Sequence, residues 1–175
     1  KLWAEKDPDA YLKECCGSVS GVVTTGLKGY TRRQIEALPA LEIIACFGNP
    51  HGTGADDRAA AVERKLVVTN TPDEITETVA DLAMGLLIAT LRRICEGDRF
   101  VRAGKWLVSP PPPGRTLGGK TCGIVGLGRI GREIAKRAEA FGMSVCYHGP
   151  RPKPDAAWPY HADLESMARA SDCLV

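Results

Sequence analysis

A chain of 175 residues is long enough for one compact domain or for parts of two, since domains settle near about 100 to 150 residues. Its apolar fraction of 44% and charged fraction of 25% are those of an ordinary globular protein, which excludes wholesale disorder, collagen-like repeats and membrane classes. A net charge of +2 from 23 basic and 21 acidic residues, with 6% aromatics and no dense basic run, gives no footprint for nucleic acid. Any anionic ligand must be held by local groups.

In chain order, β-rich apolar runs stand at 19–24, 43–47, 66–69, 122–125, 144–147 and 173–175, with helical patterns between most of them. Such alternation predicts an α/β fold with parallel sheets. The first helix should start at Thr31, where Thr31-x-x-Gln34 has the form of a capping box ahead of Ile35 and Leu38, and Pro39 follows its end. A second helix is expected over 56–64. The longest pattern runs over 76–102, with Val79, Leu82, Ala83, Leu86, Leu87, Thr90 and Ile94 at spacings of three and four. Its apolar centre, 79–91, contains Asp81 and falls short of the roughly 20 residues that a bilayer needs, so a buried helix is expected rather than a membrane span. Four prolines at 110–113 then make a stiff loop.

Seven cysteines, Cys15, Cys16, Cys46, Cys95, Cys122, Cys146 and Cys173, make an odd number without C-x-x-C or metal-ligand spacing. Reduced thiols and a cytoplasmic location follow. Cys46, Cys122, Cys146 and Cys173 lie in or beside apolar runs, where a thiol acts as a small hydrophobe. Cys15 and Cys16 read as exposed thiols at a helix end, with redox activity as the alternative. The chain opens at Lys1 without Met, and residues 171–175 read as a strand that has only begun, so an incomplete protein is expected.

The most informative stretch is Thr121-Cys122-Gly123-Ile124-Val125 running into Gly126-Leu127-Gly128-Arg129-Ile130-Gly131, followed by an amphipathic helix over 132–141. This is G-x-G-x-x-G between strand and helix. Gly126 permits a tight turn, Gly128 lets backbone approach a pyrophosphate, and Gly131 lets helix and strand pack closely. The amides and positive dipole end at the helix start favour a diphosphate. A glycine-rich structural turn is the alternative, which the strand-turn-helix setting disfavours. After the second strand, an acid would accept the ribose hydroxyls of NAD. Here the residues are His148-Gly149-Pro150-Arg151-Pro152-Lys153. Arg151 and Lys153 suit a 2′-phosphate, so NADPH is expected in preference to NAD, unless both are merely solvated loop cations.

Four stretches make a resemblance specific: 68–73 (Val-Thr-Asn-Thr-Pro-Asp), 78–82 (Thr-Val-Ala-Asp-Leu), 99–106 (Arg-Phe-Val-Arg-Ala-Gly-Lys-Trp) and 123–131 around the glycine turn. With them the chain resembles the D-isomer-specific 2-hydroxyacid dehydrogenases over nearly its whole length, particularly the glyoxylate and hydroxypyruvate reductase branch. The resemblance implies that 1–76 is part of a flavodoxin-like substrate domain. It implies that 77–175 is the first part of a doubly wound Rossmann domain, that the helix over 76–102 joins the two, and that the whole protein is a homodimer.

It implies hydride transfer between NAD(P)H and a small 2-keto or 2-hydroxy acid, with Gly128, Arg129 and Ile130 at the pyrophosphate and Pro150 to Lys153 at the adenosine phosphate. The substrate carboxylate would meet backbone amides near Gly48 to Gly54, with His51 and Gly52 the best positions. That loop is about two residues longer than the family pattern and lacks its aromatic-aspartate pair. Pro150 stands where NADPH-using members often place arginine. The family's catalytic arginine, glutamate and histidine map beyond Val175, so no residue here is assigned a catalytic role and the chain alone is expected to be inactive. An NAD(H)-sensing binding module of the same architecture is the alternative.

Overall fold

A computed structural model describes residues 5–49 and 52–175, the side chains of Asp9 and Cys15 excepted. The chain divides into two units between Glu74 and Ile75, and each forms its own parallel sheet.

The first unit contains α1 (Pro8–Cys15), β1 (Gly21–Thr25), α2 (Arg32–Glu36), β2 (Ile43–Phe47), α3 (Ala55–Glu63) and β3 (Val67–Asn70). Its three strands are parallel in the order β1-β2-β3. The expected capping box forms: Thr31 Oγ1 accepts the Gln34 amide at 3.3 Å, and Gln34 Oε1 accepts the Thr31 amide at 3.0 Å. This helix is brief. The Arg64 guanidinium caps its end by donating to the carbonyls of Ile35, Leu38 and Pro39. Ile35, Ile44 and Cys46 are the centre of the core, closed by Ala60 and Ala61 of α3. Helix α1 ends at Cys15, in accord with the helix end expected at Cys15 and Cys16, but apolar periodicity does not mark its extent. Its signal is Asp7-Pro8, an N-cap acid accepting the Ala10 amide at 3.1 Å followed by a proline at the first helical position.

The second unit runs through α4 (Thr76–Leu91), α5 (Ile94–Arg102), a 3-10 turn at Lys105–Leu107, β4 (Thr121–Val125), α6 (Arg129–Ala140), β5 (Ser144–His148), β6 (Tyr160–His161), α7 (Leu164–Ala170) and β7 (Cys173–Leu174). The strands are parallel in the order β6-β5-β4-β7. The order reverses at β4, because the chain winds outward through β5 and β6 and then returns to the other side for β7. Ligands of doubly wound sheets bind at such a switch point. The α/β class and the Rossmann character of this unit are thereby established.

The single helix expected over 76–102 is in fact two. Arg93 takes a left-handed conformation, φ 55°, and separates α4 from α5. The cause is remote in sequence: the Arg115 amide donates to Leu91 O at 2.7 Å, taking an acceptor at the helix end. At Gly114 even a Cβ would lie 2.8 Å from Arg92 Cα, so the loop after the prolines crosses the end of α4 directly. Helix α4 packs on α6 through Ala80, Met84 and Leu87, opposite the small residues Ala135 and Ala138. Arg137 of α6 binds Glu77 at 2.5 Å and Asp81 at 2.7 Å and fixes that pairing. Among the described residues no helix is long and apolar enough to cross a membrane.

Of the described thiols, all but Cys95 act as packing groups; Cys16, expected to be exposed, is half-buried against the core of the first unit, and the Cys15 side chain lies outside the described residues. Cys46, Cys122 and Cys146 are buried, Cys16 and Cys173 are half-buried, and Cys95 is exposed. Burial, with Cys173 beside it, pushes the Cys122 thiol up to about 12. Because the thiolate is the nucleophile, a maleimide at neutral pH should label Cys95 rapidly and Cys46, Cys122 and Cys146 only as the chain unfolds. Peptide mapping by mass spectrometry checks this; Cys122 labelled as fast as Cys95 in the folded chain would contradict it.

Candidate functional site

The glycine turn joins β4 directly to α6, and its three glycines are placed differently. Gly126 has φ +100°, a conformation that L side chains rarely adopt, and its amide donates to His148 O at 2.8 Å, tying the turn to the end of β5. Gly128 is the N-cap of α6, and a Cβ there would meet nothing within 4 Å. At Gly131 a Cβ would lie 2.3 Å from Gly126 O and 3.2 Å from Ile124 Cγ2, so only glycine allows this approach of helix to strand. Between them Leu127 is buried in the core and anchors the turn. Helix α6 begins at Arg129, three residues before the expected start at Arg132, so the second half of the motif is already its first turn. The positive end of that helix therefore opens where Gly128 leaves space.

Facing the turn is the segment that follows β5. Gly126, Gly128, Gly149, Pro150, Arg151 and Lys153 line one cleft of about 420 Å³, together with Leu127 and Tyr147. No carboxylate is among these lining residues. The acid that follows, Asp155, has both oxygens on Arg132 Nη2, at 2.9 and 2.8 Å, and Arg132 holds its carboxyl below the usual range. Tyr147 is buried, and its hydroxyl accepts the Lys153 amide at 2.7 Å. From β6, the Tyr160 hydroxyl donates to Gly149 O at 3.0 Å.

Of the candidate cofactor residues, five thus share the cleft: Gly126, Gly128, Pro150, Arg151 and Lys153. Arg129, Ile130 and Gly131 form the first turn of α6, with Gly131 buried against β4 and Ile130 packed on the core. Tyr147 and Gly149 also line the cleft, and no motif in the sequence marks either as a cofactor residue. Pro150 displaces the arginine by one position, yet Arg151 still lines the cleft.

In the first unit, His51 lies outside the described residues. The Gly52 amide donates to Gly26 O at 2.8 Å, the Gly48 amide to Thr71 Oγ1 at 2.9 Å and the Gly54 amide to Asp57 Oδ2 at 3.1 Å. The loop's glycine amides are therefore engaged with the unit's own acceptors.

Residues 84–175 match the model of the D-isomer specific 2-hydroxyacid dehydrogenase NAD binding domain, which is more than half the chain. The chain belongs to the D-isomer specific 2-hydroxyacid dehydrogenases. Among curated relatives of this family, a glyoxylate/hydroxypyruvate reductase A of Arabidopsis thaliana is 42% identical over the whole chain, which spans 55% of that relative. A 2-hydroxyacid dehydrogenase structure from Ketogulonicigenium vulgare Y25 superposes with a TM-score of 0.86 at 37% identity, covering 99% of this chain and 54% of that one. An NADPH-dependent glyoxylate/hydroxypyruvate reductase from Sinorhizobium meliloti, solved with NADP and malonate, gives 0.77 at 39% identity, over 99% and 52%. The chain thus spans about half the length of the relatives it matches. The family's nicotinamide dinucleotide fits the cleft: Gly128 leaves room for a diphosphate at the start of α6, and the opposite wall is cationic.

Proposed function

We propose that this chain is the cofactor-binding part of an oxidoreductase that moves a hydride between NADPH and a small 2-keto or 2-hydroxy acid of the glyoxylate or hydroxypyruvate kind. One observation carries the reading: the open N-cap of α6 and the cations Arg151 and Lys153 face the same cleft, with no carboxylate among its lining residues. The diphosphate belongs at the turn beginning at Gly126, with the first-turn residues Arg129, Ile130 and Gly131 behind it. The 2′-phosphate belongs at Pro150, Arg151 and Lys153, where a guanidinium fork matches phosphate oxygens.

When bound, the cofactor supplies the hydride chemistry, and the residues of this chain orient it. The keto acid's carboxylate is assigned to the loop carrying His51 and Gly52; because the Gly52 amide already donates to Gly26 O, seating a carboxylate there requires that bond to be exchanged. Residues 1–76 act as part of the substrate domain and 77–175 as the first part of the cofactor domain. Because the chain spans about half the length of its relatives, the proton-moving groups are assigned to the remainder of the complete protein. Leu82 and Leu86, four residues apart on α4, are each about 60% exposed, and an apolar helix face of this sort suits a second copy of the chain in a homodimer.

The test is to purify the complete gene product and follow NADPH consumption with glyoxylate or hydroxypyruvate. Turnover by that product, with cofactor binding but no turnover by the 175 residues alone, is the expected result. Binding without turnover by the complete product would instead support a cofactor-sensing module.

A further inference from the structure

The segment Gly149-Pro150-Arg151-Pro152-Lys153-Pro154 is unusual chemically. Prolines at 150, 152 and 154 have fixed φ and no N–H, and each restrains the residue before it to extended conformations. The segment is therefore a stiff strip, and the direction in which Arg151 and Lys153 point depends on how its ends are held. Two phenols hold them. At one end Tyr160 donates its hydroxyl to Gly149 O at 3.0 Å, and at the other Tyr147 accepts the Lys153 amide at 2.7 Å.

The two tyrosines are themselves one unit. They are partners in the parallel register of β5 and β6, and their rings lie 5.4 Å apart at 54°. Strand β6 is only two residues long, Tyr160–His161, and its first residue carries the hydroxyl that reaches Gly149. Tyr147 also contributes to the cleft wall, whereas Tyr160 is not among its lining residues.

We propose that Tyr160 and Tyr147 are positioning residues for cofactor choice: their hydroxyls clamp the proline-stiffened strip at both ends, aim Arg151 and Lys153 at the 2′-phosphate, and so set the discrimination of NADPH from NADH. This rests on the assignment of that strip to the adenosine phosphate made above. The clamp acts on one part of the ligand only. The diphosphate, common to both cofactors, is held at the turn between β4 and α6, which neither hydroxyl touches; the 2′-phosphate, present only in NADPH, meets the strip. Loosening the strip should therefore weaken NADPH and leave NADH nearly unchanged.

The experiment is a calorimetric titration of the chain with NADPH and with NADH, for the wild type, Arg151→Ala, Tyr160→Phe and Tyr147→Phe. Both tyrosine variants keep the ring, and so the packing. The expected result is wild-type preference for NADPH, its reduction in Arg151→Ala, and a roughly three- to tenfold fall in NADPH affinity in each Phe variant, the scale of one hydrogen bond, with NADH held within about twofold in Tyr160→Phe, whose residue is not part of the cleft wall. If the wild type and Arg151→Ala behave so but the Phe variants keep the wild-type ratio, or lose both cofactors equally, the clamp is overturned and the cofactor assignment stands. A wild type without NADPH preference, or an Arg151→Ala variant that keeps it undiminished, overturns the assignment and the clamp together.

Discussion

Gly131→Ala should remove both cofactor binding and much of the second unit's stability, whereas Gly128→Ala should remove binding alone. The contrast follows from where each new methyl would go. At Gly131 it would stand 2.3 Å from the carbonyl oxygen of Gly126 and 3.2 Å from Ile124 Cγ2. The first of these is backbone and cannot turn aside, so α6 must lift from β4. That helix buries Ile134, Ala135 and Ala138 in the core and carries the contact with α4, so displacement disturbs every layer of the unit. Forced overpacking of this kind costs about 1–3 kcal/mol, and the turn that opens the cleft moves with the helix. At Gly128 the methyl meets no protein atom within 4 Å. It projects from the N-cap into the space assigned to the diphosphate. Thermal unfolding and titration with NADPH, run on both variants, check the pair. A Gly131→Ala protein with wild-type melting and wild-type affinity would show that the close approach of α6 to β4 is not needed.

What the sequence discloses and what it hides divide along the range of the interactions involved. The strands at 43–47 and 122–125 are legible because their cause is local: short runs of apolar and β-branched residues ended by turn formers. The glycine turn is legible for the same reason, since its three special positions lie within six residues. The break at Arg93 is not, because the group that takes Leu91 O is the amide of Arg115, and nothing within the helical pattern itself marks the spot. The clamp on the strip after β5 is hidden in the same way. Thirteen positions separate Tyr147 from Tyr160, and only the parallel register of β5 with β6 brings both hydroxyls to one loop. In the first unit, periodicity passes over α1 although Asp7-Pro8 marks its start. The engagement of the Gly52 amide by Gly26 O depends on two loops that are far apart in the chain.

Replacing both cations of the strip, Arg151→Ala with Lys153→Ala, should lower NADPH affinity by about ten- to a hundredfold while NADH changes by no more than roughly twofold. A charge-assisted hydrogen bond contributes about 1.5–3 kcal/mol, and the lower end applies here because Arg151 is exposed and screened by solvent. The backbone should not suffer. Lys153 is tied to Tyr147 through its amide rather than its ammonium group, and Asp155 keeps its partner Arg132.

Salt separates charge from shape in this result. The wild-type advantage for NADPH should shrink as ionic strength rises, since the screening length falls from about 8 Å at physiological salt to about 3 Å at 1 M. The double variant has lost the charges, so its NADPH-to-NADH ratio should be almost flat over the same range. A wild-type ratio that ignores salt would mean that the cleft selects the 2′-phosphate by fit, and that Arg151 and Lys153 are solvated loop residues after all.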